Sequence, residues 1–187
     1  IATSDETLKG MQGARVVYIP GGPAHKRNVA TRHAIGGDIA FFDDDVEVTP
    51  NAVNEMRKAL KQDGIGMVFG KLKNMEFKDK LDEAGSFLTL TGFLWSRAES
   101  GRIDYGQYNE TMEVLAGKSA ACMITRKLLW KVGGFDSSYE ILGEETDLAW
   151  RIWLAGYKVL YVPQSVTYHA FNTKFKPIDF YVPRRVY

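Results

Sequence analysis

One stretch restricts the folds open to this chain more than any other. Ile39-Ala40-Phe41-Phe42 runs straight into Asp43-Asp44-Asp45-Val46-Glu47, and Thr49-Pro50 follows. The apolar quartet reads as a short buried strand. Thr49-Pro50 reads as a helix start, with Thr as N-cap and Pro at the first helical position, and that helix runs to about Gln62. Strand, acidic turn and helix in succession belong to a chain in which short apolar runs alternate with helical patterns, the α/β signature.

The alternation continues on both sides. Arg15 to Ile19 is β-branched and aromatic, and Pro20-Gly21-Gly22-Pro23 stops it. His25 to Ile35 reads as a helix with Val29, Ala30, Ala34 and Ile35 as its apolar side and Gly36-Gly37 as its stop. Ile65 to Phe69 and Ala120 to Thr125 read as strands, Leu128 to Val132 as a short helix, and Gly133 to Asp136 as a turn. Glu144 to Ala155 reads as a helix ended by Gly156, and Pro163 separates strands at Lys158 to Val162 and Ser165 to Tyr168. Between Lys71 and Glu113 the pattern is weak, as expected of short strands and loops wrapped around a substrate.

Composition excludes several classes. With 187 residues the chain can form one domain that buries about 70% of its unfolded surface. Hydrophobic residues at 45% and charged residues at 25% exclude a disordered chain, a collagen-like repeat and a coiled coil. Lys plus Arg number 24 against 23 Asp plus Glu, so a net charge of +1 gives no electrostatic case for nucleic-acid binding. Cys122 is the sole cysteine, which excludes an intrachain disulfide and a cysteine-based zinc site and fits a reducing compartment. No apolar run reaches the roughly 18 residues of a membrane span, and no signal peptide opens the chain.

Four acidic or basic groupings carry candidate chemistry. Asp43, Asp44 and Asp45 repel one another unless a cation compensates, and carboxylate oxygens suit hard divalent ions. The end of a strand in an α/β sheet is also where ligands bind. The alternative is a solvated acidic turn before a capped helix. In Gly143-Glu144-Glu145-Thr146-Asp147-Leu148-Ala149-Trp150-Arg151, acids in the first turn complement the helix dipole, and Asp147 with Arg151 makes an i,i+4 pair. A carboxylate held there beside a pocket is equally a candidate general base. His169, at the end of a strand, is either structural or a metal ligand; His25 and His33 receive no role. Arg27-Asn28, at a helix start, either meets an anion or lies exposed. Cys122 lies in an apolar strand and reads as core. Walker, GxGxxG, GxSxG and HExxH patterns are absent.

Taken in order, these groupings resemble the family 2 glycosyltransferases of the GT-A fold. Arg27-Asn28 followed by Gly37-Asp38-Ile39-Ala40-Phe41-Phe42-Asp43-Asp44-Asp45-Val46 is similar to that family's "RN … gd-x-i-x-F-L-D-D-D" stretch. Gly117 to Arg126 with Val132-Gly133-Gly134-Phe135-Asp136 resembles its "G-x-x-x-x-x-R … GGFDE" stretch. Glu144 to Arg151, then Ala155-Gly156-Tyr157-Lys158, Val162-Pro163 and His169, resembles "E-D-x-D-L-x-x-R … a-G-y … v-P … H". The resemblance runs from about Ser4 to His169.

It implies an α/β three-layer sandwich around a mixed central sheet. It implies a single catalytic domain over residues 1–187, with a nucleotide- and metal-binding half (1–70) and an acceptor and catalytic half with its tail (71–187). The implied reaction is inverting transfer of a sugar from a nucleoside-diphosphate sugar to an acceptor hydroxyl, dependent on Mn²⁺ or Mg²⁺, in polysaccharide or glycoconjugate synthesis. Asp45, Asp43 and His169 would hold the metal. Asp5 (in the "S-D-x-T"-like turn Ser4-Asp5), Arg27, Asp43, Asp44, Lys118 and Glu144 would meet the nucleotide-sugar. Glu145 would be the base, with Asp147 in reserve, although the family usually places Asp where Glu145 stands. The acceptor would be a saccharide, a lipid-linked glycan or a protein, in the cytoplasm or at a membrane. Trp95, Tyr105 and Tyr108 stack on sugar or merely pack. The basic, aromatic tail after Phe171 (Lys174, Lys176, Arg184, Arg185, Phe175, Phe180, Tyr181) makes a peripheral membrane contact, or is a solvated tail or the stub of a further helix. Because Ile1 sits almost on the "S-D-x-T" turn, segments before it and after Tyr187 are expected. A nucleotidyltransferase and a non-catalytic nucleotide-sugar or glycan-binding domain are the competing readings.

Overall fold

A computed structural model of the chain describes residues 1–3, 13–139 and 142–170. In chain order the elements are β1 (Ala2–Thr3), β2 (Val17–Tyr18), α1 (Pro23–His33), β3 (Asp38–Phe42), β4 (Val46–Val48), α2 (Ala52–Leu60), β5 (Ile65–Asn74), β6 (Leu81–Glu83), β7 (Ser86–Leu88), β8 (Leu94–Ser96), β9 (Met112–Glu113), β10 (Ala121–Thr125), α3 (Arg126–Lys131), α4 (Glu144–Leu154) and β11 (Lys158–His169). The central sheet follows the order β3-β10-β5-β11-β4, with β6 on β5 and β9 on β11. β10 runs antiparallel to both β3 and β5, whereas β11 runs parallel to β5, so the sheet is mixed. β7 and β8 form a separate antiparallel hairpin.

Period-2 alternation sorts the sheet residues into two cores. Met67 and Phe69 of β5 and Val159 and Tyr161 of β11 point to one face, where Ala24 of α1, Leu128 and Leu129 of α3, and Leu148, Ala149 and Ile152 of α4 pack. Val68 and Leu72 of β5 with Leu160 and Val162 of β11 point to the other, where Met56, Ala59 and Leu60 of α2 pack. Helix, sheet and helix make the three layers. Gly66 lets α4 approach, since a Cβ there would lie 2.7 Å from Ile152 Cγ2. Among the described residues no helix is long and apolar enough to cross a membrane.

Four local expectations need correction. Helix α1 begins at Pro23, and its buried residues are Ala24 and Thr31; Ile35 lies beyond its end and is fully exposed. The inward stripe also carries the half-buried Arg27 and Asn28, because both side chains find partners across the site, so the helix docks through a polar face. Thr49 does not cap α2: its hydroxyl donates to Val166 O (2.7 Å), and Asn51 occupies the cap position. Strand β5 continues to Asn74 rather than stopping at Phe69. Leu72 enters the second core, while Lys71 is buried by donating to Asp104 Oδ2 (3.0 Å) and Asn109 Oδ1 (2.7 Å). Pro163 does not divide two strands. β11 is continuous, and the proline falls in a register shift between Val162 and Val166, where a missing N–H costs no ladder bond.

Candidate active site

The acidic turn leaves the end of β3 and returns at once as β4, which pairs with the end of β11, placing Val46 opposite His169. Ala170 N donates to Asp45 O (2.9 Å) and locks the junction. One ligand atom each from Asp43, Asp45 and His169 lie within 4.8 Å of one another. His169 Nε2 stands 3.3 Å from Asp45 Oδ1. The carboxylates of Asp43 and Asp45 are 35% and 47% exposed, open to a ligand. Two carboxylate oxygens and an imidazole nitrogen form a donor set that fits Mn²⁺ or Mg²⁺. Asp44 is exposed.

The opposite wall is built by α1 and α4. Arg27 lies in the second turn of α1, not at its N-terminus, and its guanidinium reaches carboxylates: Nη2 donates to Asp43 Oδ1 and Nη1 to Glu144 Oε1, each at 2.6 Å. It also sits 5.6 Å from the centroid of Phe135, which meets Phe41 edge-on. Asn28 holds the Gly133–Asp136 turn in place by donating to Phe135 O (2.7 Å) and accepting from Phe135 N (2.9 Å). Gly134, at φ +73°, fits this clasp because a Cβ would lie 2.8 Å from Asn28 Oδ1.

Glu144 is buried; Ser119 Oγ also donates to its Oε1 (3.3 Å), and its Oε2 has no hydrogen-bond partner among the described residues. Glu145 follows it at the start of α4. Burial, and then the neighbouring Glu144 charge, push the Glu145 carboxyl up to about 8. Asp147 is engaged by Arg151, whose Nε donates to its Oδ2 (3.0 Å), so the i,i+4 pair forms.

Behind the metal-type cluster lies a residue the sequence did not single out. Asp82 on β6 is buried, its Oδ2 is 2.8 Å from His169 Nδ1, and its Oδ1 accepts from Lys118 Nζ (2.6 Å). Burial disfavours its charged form, but the hydrogen bonds from His169 and Lys118 outweigh that and hold it below the usual carboxylate range. Glu83 beside it is buried as well and accepts from Ser86 Oγ (3.2 Å) and Ser96 Oγ (3.3 Å), and burial raises its pKa. No local signal marks Leu81-Asp82-Glu83; pairing of β6 with β5 buries them.

Of the residues named from sequence, Arg27, Asp43, Asp45, Glu144, Glu145 and His169 converge. Lys118 reaches the same cluster through Asp82. Asp5 and the tail from Phe171 lie outside the described residues. Trp95 stacks on Phe87, Tyr105 is 83% exposed, and Tyr108 donates through its hydroxyl to Arg97 O (2.8 Å).

With this geometry established, comparison with known proteins is informative. The model of a family described as "Glycosyltransferase like family 2" matches residues 14–185. The chain is 28% identical over 149 residues to the O-antigen biosynthesis protein RfbC of Myxococcus xanthus, covering 76% of this chain and 12% of that protein. It is 27% identical over 179 residues to the uncharacterized protein y4gI of Sinorhizobium fredii, covering 90% of this chain and 19% of that one. The chain therefore spans less than a fifth of the length of these curated relatives. Among solved structures it resembles GalNAc-T7 with UDP, GalNAc and Mn²⁺ (TM-score 0.65, 18% identity, 82% of this chain and 32% of that one). It also resembles the mannosyltransferase PcManGT of Pyrobaculum calidifontis in complex with GDP-Man and Mn²⁺ (TM-score 0.58, 18% identity, 86% and 40%). The fold is thus that of the GT-A enzymes, as the ordered motifs imply.

Proposed function

The chain belongs to the glycosyltransferase-like family 2, and we propose on that premise that it carries an inverting, metal-dependent sugar-transfer site. The donor is a nucleoside-diphosphate sugar and the acceptor offers a hydroxyl. The observation that carries the reading is the convergence of Asp43, Asp45 and His169 opposite the Glu144-Glu145 start of α4. Asp43, Asp45 and His169 would hold the divalent ion, and the imidazole would favour Mn²⁺ over Mg²⁺. When bound, such an ion neutralises charge on the departing diphosphate.

The remaining roles belong to the chain's own side chains. Arg27 orients Asp43 and Glu144 through its two short bonds. Arg27, Asp43, Asp44, Lys118 and Glu144 would meet the donor, and Asp5, outside the described residues, would join them. Glu145 accepts the proton of the acceptor hydroxyl as that oxygen bonds to the anomeric carbon and the bond to the diphosphate oxygen breaks on the opposite face. A carboxyl at about 8 is a stronger base than an ordinary glutamate once ionised, and the positive charge of Arg27 already favours ionisation. Residues 1–70 form the half that mainly serves nucleotide and metal, and residues 71–187 form the acceptor and catalytic half with its tail, which adds His169, Lys118, Glu144 and Glu145 to the shared site. The acceptor is a saccharide, a lipid-linked glycan or a protein, and the likeness to a protein named for O-antigen biosynthesis is in keeping with the first two.

A non-catalytic binding domain is the second reading, favoured by the burial that keeps Glu145 protonated near neutrality. The first test is a thermal-shift panel of UDP, GDP, dTDP and CDP, each with Mn²⁺ and with EDTA. One nucleotide at 100 times its Kd stabilises the chain by about 2.7 kcal/mol, and EDTA removes the effect. No stabilisation by any nucleotide sinks the donor-site assignment. Glu145→Gln then separates the two readings: it lowers transfer about 10²–10⁴-fold while nucleotide binding persists, whereas unchanged transfer rules Glu145 out as the base.

A further inference from the structure

We propose that Asp82 is a positioning residue that fixes the His169 ring so that Nε2, and not Nδ1, faces the Asp43–Asp45 carboxylates. The inference rests on the reading of His169 as a metal ligand and adds to it a residue from a different part of the chain.

Four observations carry it. The Asp82 side chain is 1% exposed, so its geometry is set by the protein and not by solvent. Both its oxygens are used: Oδ2 faces His169 Nδ1 at 2.8 Å, and Oδ1 accepts from Lys118 Nζ (2.6 Å) and Ser100 Oγ (3.3 Å). Lys118 Nζ also lies 3.4 Å from the Asp82 backbone oxygen, which ties the carboxylate to its own strand. The other ring nitrogen, Nε2, lies 3.3 Å from Asp45 Oδ1, on the side where Asp43 and Asp45 converge.

The chemistry follows from donor and acceptor capacity. An ionised carboxylate only accepts hydrogen bonds, so the Nδ1 facing Asp82 must carry the proton. In the neutral ring Nε2 then presents its lone pair to the cluster. A carboxylate on the far nitrogen also makes the ring a better electron donor to an ion. Lys118 and Ser100 hold Asp82 from the opposite oxygen, so it cannot swing toward the cluster and become a ligand itself. Asp43 and Asp45 supply charge at the site, while Asp82 acts through the imidazole.

Nitrogen-15 NMR of the histidine ring in the wild-type chain, at a pH alkaline enough for the ring to be neutral, is the first measurement, because it needs no variant. The proposal expects His169 as the Nδ1–H tautomer; an Nε2–H tautomer overturns it. The second is Mn²⁺ affinity, read from the free-ion electron-paramagnetic-resonance signal, for wild type, Asp82→Asn, His169→Ala and the double variant. An amide can donate or accept, so Asp82→Asn frees the tautomer; affinity falls about 10–100-fold, and the substitution has no further effect when His169 is already Ala. Wild-type affinity in Asp82→Asn, with His169→Ala weakened, overturns the positioning role alone. Wild-type affinity in His169→Ala overturns the ligand reading and the positioning role together. If Asp82→Asn fails to fold, the tautomer read in the wild-type chain still decides the proposal.

Discussion

Two acidic runs stand at strand ends in this molecule, Asp43-Asp44-Asp45 after β3 and Asp82-Glu83 in β6. Their chemistry is the same and their environments are opposite. The first leaves its carboxylates partly open, with Asp43 and Asp45 35% and 47% exposed and Arg27 neutralising one side. The second is buried, and each carboxylate is held by hydrogen bonds from Lys118, Ser86 and Ser96 and by contact with His169. Exposure keeps lone pairs available for a ligand, whereas burial spends them on the fold. On the proposed reading the open run meets the ligand, and the closed run holds the histidine proposed to bind it.

The comparison breaks most sharply under truncation of the closed run. Asp82→Ala removes the buried carboxylate that His169 and Lys118 share and costs about 3–5 kcal/mol, read from urea unfolding. A loss under about 1 kcal/mol would place Asp82 with the open run. Asp45→Ala gives the converse: stability without metal changes by no more than about 0.5 kcal/mol, while Mn²⁺ affinity falls more than the roughly 100-fold expected for an outer partner. Calorimetric titration alongside thermal melts decides it.

The pH dependence of stability sharpens the contrast. Glu145, raised by burial to about 8, binds a proton in the folded chain that the unfolded chain has released above its ordinary value of 4.5. Its contribution is therefore complete below 4.5 and is lost as pH rises through about 8. Glu83, also raised by burial, acts in the same direction. Asp82 acts oppositely: its folded pKa lies below 3.8, so its contribution is present above that value and lost as pH falls through the folded one. Melting temperature should fall as pH rises from 4.5 to about 8 and again as pH drops below 3.8, and Glu145→Gln should flatten the limb between 4.5 and about 8; an unchanged limb would show that Glu145 is not held as an acid. The smallest effect is at Asp44, which is exposed. Asp44→Asn should leave stability within about 0.5 kcal/mol in the same melts.

Much of this arrangement is readable along the chain because it is local. An apolar quartet followed by acids, glycines after the helices, the Asp147–Arg151 spacing and the buried stripe of α4 each depend on neighbours within a few residues. The polar face of α1 was not readable, since Arg27 and Asn28 count as a helix's wet side until their partners are known. Pro163 marks a break in most contexts, and the register shift in β11 absorbs it.

What the sequence by itself determined is therefore the order of elements, the acidic turn at a strand end and the acids opening α4. Backbone propensity and side-chain period act over one or two turns of chain. What only the tertiary structure decided is which carboxylates meet which cations. Arg27 finds Glu144 across 117 residues, and Asp82 finds His169 across 87. The first pair follows from α1 and α4 packing on the same face of the sheet, the second from the registers of β6 and of β11 on β5, and burial then sets which acids stay charged. Neither register nor desolvation exists until the sheet has formed.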